Sequence, residues 1–431
     1  MAQTKTVESL KNLSWLFISG ILVKLIGIGR ESIIAHEVGN TLLFANFNFL
    51  KSIIDFLIAF VIGSPIIETI LIPLYSPEYK KNNQISFYNL SELSKKISFR
   101  LFFFAILFFY ILTELKDFEN LFTRSSYIII FSIFVSLYFL NSFNFALLKV
   151  KGDFKAYSLQ LFVNTLIGFV LLIFLIKYAG VLSVLLSGIL YIPISNWYIS
   201  REINLKKNDS NQLPKLSLPQ NSFSFLLALG HSTFIGFWGK VFLGFDNGLD
   251  INYYHYAFIL IHSFQSLIVV NLTSLLLYKL SSDSSEFKDK YIYMLTISLP
   301  IIFVFFFYFG GGLMVELLFE HGKFNSSDSN IVIYFLHYYL MIPFALLCSS
   351  QVFLQPLLSN KKGDMTRLKD VTIKSISLLL FIFVIFSLLS KFLLNLNNHQ
   401  ILVIFLYGSS ISILIITYIS FKKYSFINVQ A

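Results

Sequence analysis

The sequence is poor in cysteine and in charge, and both shortages restrict what the protein can be. Cys348 is the single cysteine among 431 residues, which excludes an internal disulfide and a metal site built from several cysteines. Charged residues make up 13% of the chain, whereas soluble domains typically carry about 25%. The composition therefore does not fit a water-soluble globular protein.

Two further absences bear on function. The sequence contains no Gly-x-x-x-x-Gly-Lys-Ser/Thr loop, which argues against direct ATP drive. The segments that we assign below to the outer side of a membrane are all short. A membrane-bound polysaccharide polymerase or ligase normally needs a sizeable outer loop for its catalytic groups, so that class is disfavoured. We predict no catalytic residues, no cofactor and no metal site.

Apolar surface is abundant instead. The chain is 56% hydrophobic and 18% aromatic, with a mean hydropathy of +0.73. Runs of about 20 apolar residues, the length that crosses a bilayer, recur along it. The pattern predicts an all-α polytopic membrane protein of about twelve transmembrane helices. They are expected near residues 12–36, 42–74, 97–115, 127–148, 156–176, 181–200, 223–245, 253–280, 291–320, 331–358, 371–394 and 401–421.

A charged, Asn-rich segment near the middle of the chain divides these helices equally. We predict an N-terminal six-helix bundle at 1–200, a cytoplasmic linker at 201–220 and a C-terminal six-helix bundle at 221–431. Two such halves around a central cavity are a common transporter plan. Most of the 33 Lys and Arg residues then fall in segments on one side, which the positive-inside rule assigns to the cytoplasm together with both termini.

Charged residues inside the first two helices are the clearest functional signal. They are Lys24, Arg30, Glu31, Lys51 and Asp55. A charge near the bilayer centre costs at least about 2.5–3.5 kcal/mol, and such charges usually face a bundle interior or a water-filled cavity. Their presence indicates a polar pathway through the membrane. Lys51 and Asp55, spaced i,i+4, form either a structural ion pair or part of the cavity wall.

The later helices offer fewer ionisable candidates. Lys240 lies within the seventh helix and is flanked by glycines, which suggests close packing or a ligand near the backbone. His255 and His262 share a face of the eighth helix, two turns apart, which is too far for one metal ion without other ligands. With Glu316, these histidines are candidates for ion coupling. Their alternative role is polar contact within the bundle.

Three stretches together resemble a known family. The first contains Lys24, Gly27, Arg30, Glu31 and Gly39. The second is Tyr256-Ala257, and the third is Leu318-Phe-Glu-His-Gly-Lys-Phe324 followed by Asp328. These patterns resemble MurJ/MviN-type lipid II flippases of the MOP exporter superfamily, which also holds Wzx polysaccharide flippases and MATE antiporters.

The resemblance has departures. This chain ends before the two additional C-terminal helices of lipid II flippases, and Phe258-Ile259 stand where the family has a basic residue after Tyr-Ala. The arginines in the second half of the family's second helix are also unmatched. Transport of a lipid-linked sugar remains implied, with lipid II as one possible cargo and another polysaccharide unit as the other.

The resemblance implies a flippase that moves an undecaprenyl-type lipid-linked saccharide, for peptidoglycan or surface polysaccharide, across the bacterial inner membrane by alternating access. Lys24, Arg30, Glu31 and Lys240 are its predicted substrate-binding residues, since basic groups suit a pyrophosphate headgroup. H⁺ or Na⁺ and membrane lipids are further expected partners, and nucleic acid is not. The alternative is a MATE-type cation-coupled exporter of small molecules, in which acidic residues would dominate the cavity.

Overall fold

The structure is a computed structural model. It describes residues 2–62, 67, 71, 87–114, 116, 121–151, 153–202, 222–245, 248–269, 272, 289–359, 363–394 and 396–430. By their contacts these residues divide into two compact units. The first comprises 1–38 and 53–223, and the second comprises 39–52 and 224–431.

Six helices precede the middle of the chain. They are α1 (Ala2–Val38), α2 (Leu42–Leu57, continued by a π-helical turn at Ile58–Ile62), α3 (Phe87–Thr113), α4 (Leu121–Lys151), α5 (Phe154–Ala179) and α6 (Ser183–Glu202, entered by a 3₁₀ turn at Gly180–Leu182). Within the first unit α1 packs on α5, α5 on α6, α6 on α4, and α4 on α3.

Six further helices follow. They are α7 (Ser222–Leu229 and His231–Gly244), α8 (Asp250–Phe264, with a π-helical turn at Gln265–Val269), α9 (Asp289–Phe319), α10 (Ser326–Tyr334, a π-helical segment Phe335–Leu340, and Met341–Ser359), α11 (Gly363–Leu394) and α12 (Asn398–Gln430). Within the second unit α12 packs on α10, α11 and α7, while α9 packs on α10 and α8 on α7.

The twelve helices expected from hydropathy therefore all have counterparts in the described residues. Several begin or end well beyond their apolar stretch: α1 begins ten residues earlier than predicted, and so does α3. A polar turn outside the hydrocarbon layer can remain helical because its backbone still satisfies its own hydrogen bonds. Hydropathy measures the apolar part of a helix and not its whole length.

One predicted helix is not continuous. The expected seventh helix is broken at Gly230, and its two pieces meet at an angle of 84°. Part of the break is local, because the buried imidazole of His231 hydrogen-bonds through Nδ1 to the carbonyl of Ala228 at 2.7 Å. Its other nitrogen contacts Ser350 Oγ at 2.8 Å, so the first turn of the second piece is fixed to α10.

The first part of α2 clusters with the second unit, and hydrogen bonds between three asparagine side chains contribute to this grouping. Asn48 donates to Asn252 Oδ1 at 2.8 Å, and Asn252 donates in turn to Asn40 Oδ1 at 2.8 Å.

The predicted linker at 201–220 lies, apart from its first two residues, outside the described residues.

The outer surfaces of several helices are apolar. Leu107, Phe305 and Leu378 are among many large apolar side chains that are exposed. Within the described residues eight helical stretches, or nine if the bent α7 counts as one, are long and apolar enough to cross a membrane. Such a surface is stable against lipid and not against water, so the chain is a multi-pass membrane protein.

Candidate functional site

The predicted basic and acidic residues of α1 form a polar cluster in the first unit. Arg30 donates to Glu31 Oε1 through Nη2 at 2.7 Å and through Nε at 3.2 Å. The Glu31 side chain is 5% exposed, whereas that of Arg30 is 37% exposed. Buried Glu31 therefore binds the guanidinium of Arg30, and part of the Arg30 side chain remains accessible.

Other helices contribute to the same cluster. Asp55 of α2 and Tyr191 of α6 lie near enough to Arg30 to stabilise its positive charge, whereas Lys24 and Arg30, as two cations, repel each other. All of these side chains except Glu31 are half-buried. The structure thus brings together four of the residues singled out in the sequence: Lys24, Arg30, Glu31 and Asp55.

Two tyrosines of this cluster were not anticipated. Tyr191 interacts with Arg30, and Tyr138 of α4 interacts with Tyr191 and Asp55. Both lie in the middle of apolar helices, whereas transmembrane tyrosines concentrate at the membrane interfaces. That mid-helix position was a sequence signal that could have identified them.

The charges of the cluster balance formally, with Lys24 and Arg30 opposed by Glu31 and Asp55. An anionic ligand would therefore bind by competing with the carboxylates for the two cations. While no ligand is bound, the two carboxylates neutralise the two cations, so the empty site carries no uncompensated charge. When an anion replaces the carboxylates, a guanidinium can bind a phosphate through two parallel hydrogen bonds.

The basic residue of the second unit, Lys240, is buried instead of partly accessible. Lys240 Nζ lies 2.8 Å from His255 Nδ1 and 4.9 Å from the centre of the Phe258 ring. Lys240 is 3% exposed and His255 is 4% exposed. The structure therefore brings these two candidates together, deep in the packing of α7 against α8.

The remaining candidates have different surroundings. His262 stacks on Phe258 with ring centres 5.3 Å apart, and Glu316 is exposed on α9. Lys51 is half-buried on α2, and its pairing with Asp55 stays a prediction. In the described part of the chain no three His, Cys, Asp or Glu side chains converge as metal ligands.

The sequence motifs of the second unit meet in space. A Cβ atom added to Gly39, which has a φ of +67°, would lie 2.8 Å from Lys323 Cβ. The ring of Tyr256 packs on Phe319 at 4.8 Å and on Phe324 at 5.1 Å. Motifs nearly 300 residues apart in sequence thus form one packed junction.

A polar chain that joins the first turns of α8 and α12 to the π-helical segment of α10 was also missed. His399 of α12 joins Asp250 of α8, at 2.9 Å from Nε2, to Tyr339 of α10, at 3.0 Å from Nδ1. Beside it the Tyr253 hydroxyl donates to Asp328 at 2.9 Å. No periodicity connects these residues, so only the packing of α8, α10 and α12 reveals them.

Comparison with solved structures identifies the fold. The lipid II flippase MurJ in an inward closed conformation aligns with a TM-score of 0.68 at 17% identity, over 96% of this chain and 90% of that one. A mutant of the Vibrio cholerae MATE transporter VcmN aligns with a TM-score of 0.60 at 14% identity, over 97% of this chain and 98% of that one.

A MOP superfamily transporter from Pyrococcus furiosus aligns with a TM-score of 0.54 at 13% identity, over 97% of this chain and 96% of that one. No family model and no curated protein matches the sequence. The chain therefore has a MurJ/MOP-type fold, and these three solved structures are of a flippase and two transporters.

Proposed function

We propose that the protein is a flippase for an undecaprenyl-type lipid-linked saccharide, acting by alternating access. The observation that carries the proposal is the half-exposed Arg30, which pairs with buried Glu31 and lies six residues from Lys24 on the same helix, within a membrane fold of the MurJ/MOP type. A pyrophosphate headgroup is the lipid component that such a pair of cations would recognise.

In this proposal the pyrophosphate competes with Glu31 and Asp55 for the two cations, while the lipid tail stays in the bilayer. Return of the carboxylates to Arg30 would then favour release on the opposite side. Only binding and a conformational change are required, with no covalent step. His255 beside buried Lys240, His262 and Glu316 remain the proposed candidates for coupling transport to H⁺ or Na⁺.

A MATE-type exporter of small cations is the second candidate, because Glu31 and Asp55 could bind a cation. The two functions make opposite demands on the cluster. A flippase of an anionic lipid depends on Lys24 and Arg30, whereas a cation exporter depends on the carboxylates.

Flipping by purified protein in liposomes tests the proposal. We expect Arg30→Ala and Lys24→Ala each to lower the initial rate by about 10- to 100-fold, since a hydrogen bond to a charged group contributes about 1.5–3 kcal/mol. Arg30→Lys should be partly impaired, because a point charge lacks the bidentate fork. Lys95 is an exposed residue of the same unit, so Lys95→Ala is the matched control and should flip the lipid at the wild-type rate.

Normal flipping by both alanine variants would refute the flippase role of the cluster. Loss of activity in Glu31→Gln and Asp55→Asn alone, together with export of a cationic dye, would favour the cation exporter.

We further propose that the protein lies in the bacterial inner membrane with both termini cytoplasmic, on the strength of the Lys and Arg distribution. In a Cys348→Ala background, a cysteine at Gly248 should react with an impermeant thiol reagent added outside intact cells. One at Lys151 should react only after the cells are opened, and labelling of Lys151→Cys from outside would reverse the orientation.

A further inference from the structure

We infer that the first unit carries a separate saccharide subsite, built from three half-buried tyrosines that extend from the Arg30 cluster toward the α4–α5 turn. The tyrosines are Tyr138, Tyr157 and Tyr191. The inference rests on the proposed function and adds the part of the substrate that the cations do not recognise, namely the sugar.

The three side chains form a connected series. Arg30 and Tyr191 flank the same turn of α5, because a Cβ on Gly29 would lie 3.7 Å from Phe169 and one on Gly168 would lie 3.0 Å from the Tyr191 ring. Along α4 and α6, Tyr138 and Tyr191 lie between two contacts that join these helices, Phe134 with Gly188 and Asn144 with Asn196. Tyr157 packs on Phe145, which is seven residues from Tyr138, or about 10 Å along a helix. The series therefore runs from the residue proposed to hold the pyrophosphate toward the α4–α5 turn.

Each ring is positioned by its own neighbours. Tyr191 lies over Gly168 of α5, where an added Cβ would come within 3.0 Å of the ring. Tyr138 packs against Phe134 with ring centres 5.7 Å apart. Tyr157 packs edge-on against Phe145 at 5.4 Å. Rings that are fixed in this way offer apolar area to a ligand at little cost in conformational entropy.

Hydrogen-bonding groups accompany the rings. The amide of Asn144 donates to Asn196 Oδ1 at 2.9 Å, and Asn196 is half-buried on the same helix as Tyr191. Lys149 Nζ lies 4.2 Å from the centre of the Tyr157 ring. Amides and phenol groups both donate and accept hydrogen bonds, as sugar hydroxyls do, while aromatic faces pack against the apolar face of a pyranose.

A membrane-interface role does not account for this arrangement. Tyrosines that anchor a helix in the headgroup region lie near its ends, whereas Tyr138 and Tyr191 lie near the middle of α4 and α6. Tyr178, at the end of α5 and 90% exposed, fits the interface role and serves as the internal control.

Binding to the purified protein in nanodiscs tests the subsite. The probes are a bare polyprenyl pyrophosphate and three polyprenyl pyrophosphates that carry a disaccharide of glucose, galactose or N-acetylglucosamine. We expect the wild type to bind at least one glycosylated probe about tenfold more tightly than the bare lipid, which corresponds to about 1.4 kcal/mol.

The variants separate sugar from pyrophosphate. Tyr138→Leu and Tyr191→Leu should each weaken binding of the preferred glycosylated probe several-fold and leave the affinity for the bare lipid unchanged. Tyr138→Phe should retain most of the preference because the ring remains. Arg30→Ala should weaken the binding of every probe, and Tyr178→Leu should weaken the binding of none.

Equal wild-type affinity for bare and glycosylated lipids would overturn the subsite even if a leucine variant failed to fold, and would leave the flippase proposal standing. Equal loss for all probes in the leucine variants would also overturn it, since the tyrosines would then be structural. Absence of binding to any probe by the wild type would refute both proposals.

Discussion

The two units of the protein use intramembrane basic residues in opposite ways. Arg30 of the first unit is 37% exposed and shares its surroundings with Glu31 of its own helix and with Asp55 and Tyr191 of two other helices. Lys240 of the second unit is 3% exposed and is enclosed by His255 and Phe258. The comparison teaches that an intramembrane charge is not by itself a binding residue. Its accessibility and its partners decide which role it can have.

The glycines around these residues show the same contrast. A Cβ atom on Gly27 of α1 would meet no described atom within 4 Å. One on Gly236 of α7 would overlap the buried ring of Phe258. In the first unit there is therefore space around α1 at Gly27. In the second unit the absence of a side chain at Gly236 allows the Phe258 ring to pack against α7 beneath Lys240.

The largest effect expected from this comparison is on packing. Gly236→Ala should destabilise the protein by about 1–3 kcal/mol, the usual cost of an overpacked core. Gly27→Ala should leave stability unchanged or slightly improved. The monodisperse fraction after detergent extraction and the thermal midpoint measure both. A Gly236→Ala protein as stable as Gly27→Ala would mean that the close approach of Phe258 is not a constraint.

A smaller effect is expected from removing the buried ammonium. Lys240→Met preserves much of the side-chain length and removes one hydrogen bond to His255, so we expect a loss of about 1 kcal/mol in stability. Transport by the folded fraction should persist, in contrast to Arg30→Met, whose folded fraction should transport poorly.

Reconstitution at equal protein content keeps folding separate from activity in this pair. If folded Lys240→Met failed to transport, Lys240 would itself take part in transport, either by binding substrate or through its contact with the coupling candidate His255. The contrast between Arg30 and Lys240 would then have to be abandoned.

The smallest effects should come from exposed ion pairs in either unit. His399 and Asp250 are about as exposed as Arg30, and Lys95 and Glu92 of α3 are also well exposed. Because surface pairs contribute about 0–1 kcal/mol, Asp250→Asn and Glu92→Gln should each change the thermal midpoint only slightly. A large loss in Asp250→Asn alone would assign the chain of contacts from α8 through His399 to Tyr339 a structural role beyond that of a surface pair.

Much of this architecture was predictable from hydropathy. Twelve helices and a membrane location follow from apolar run length. Charges within those runs singled out Lys24, Arg30, Glu31 and Asp55, whose part in binding stays a prediction. The break of α7 at Gly230 did not follow, because a single glycine inside an apolar run is compatible with a continuous helix. The contacts of His231 with Ser350 and the backbone help to determine where the helix bends.

What the sequence by itself determined is local: which segments are helical, which are apolar enough for a bilayer, and where charges interrupt them. Only the tertiary structure decided that Arg30 lies beside Asp55 and Tyr191, that Lys240 is enclosed by His255 and Phe258, and that Gly39 packs against Lys323. The physical reason is that hydropathy depends on neighbours along the chain. The partner and exposure of a side chain depend instead on how each helix is rotated and packed against helices that are distant in sequence.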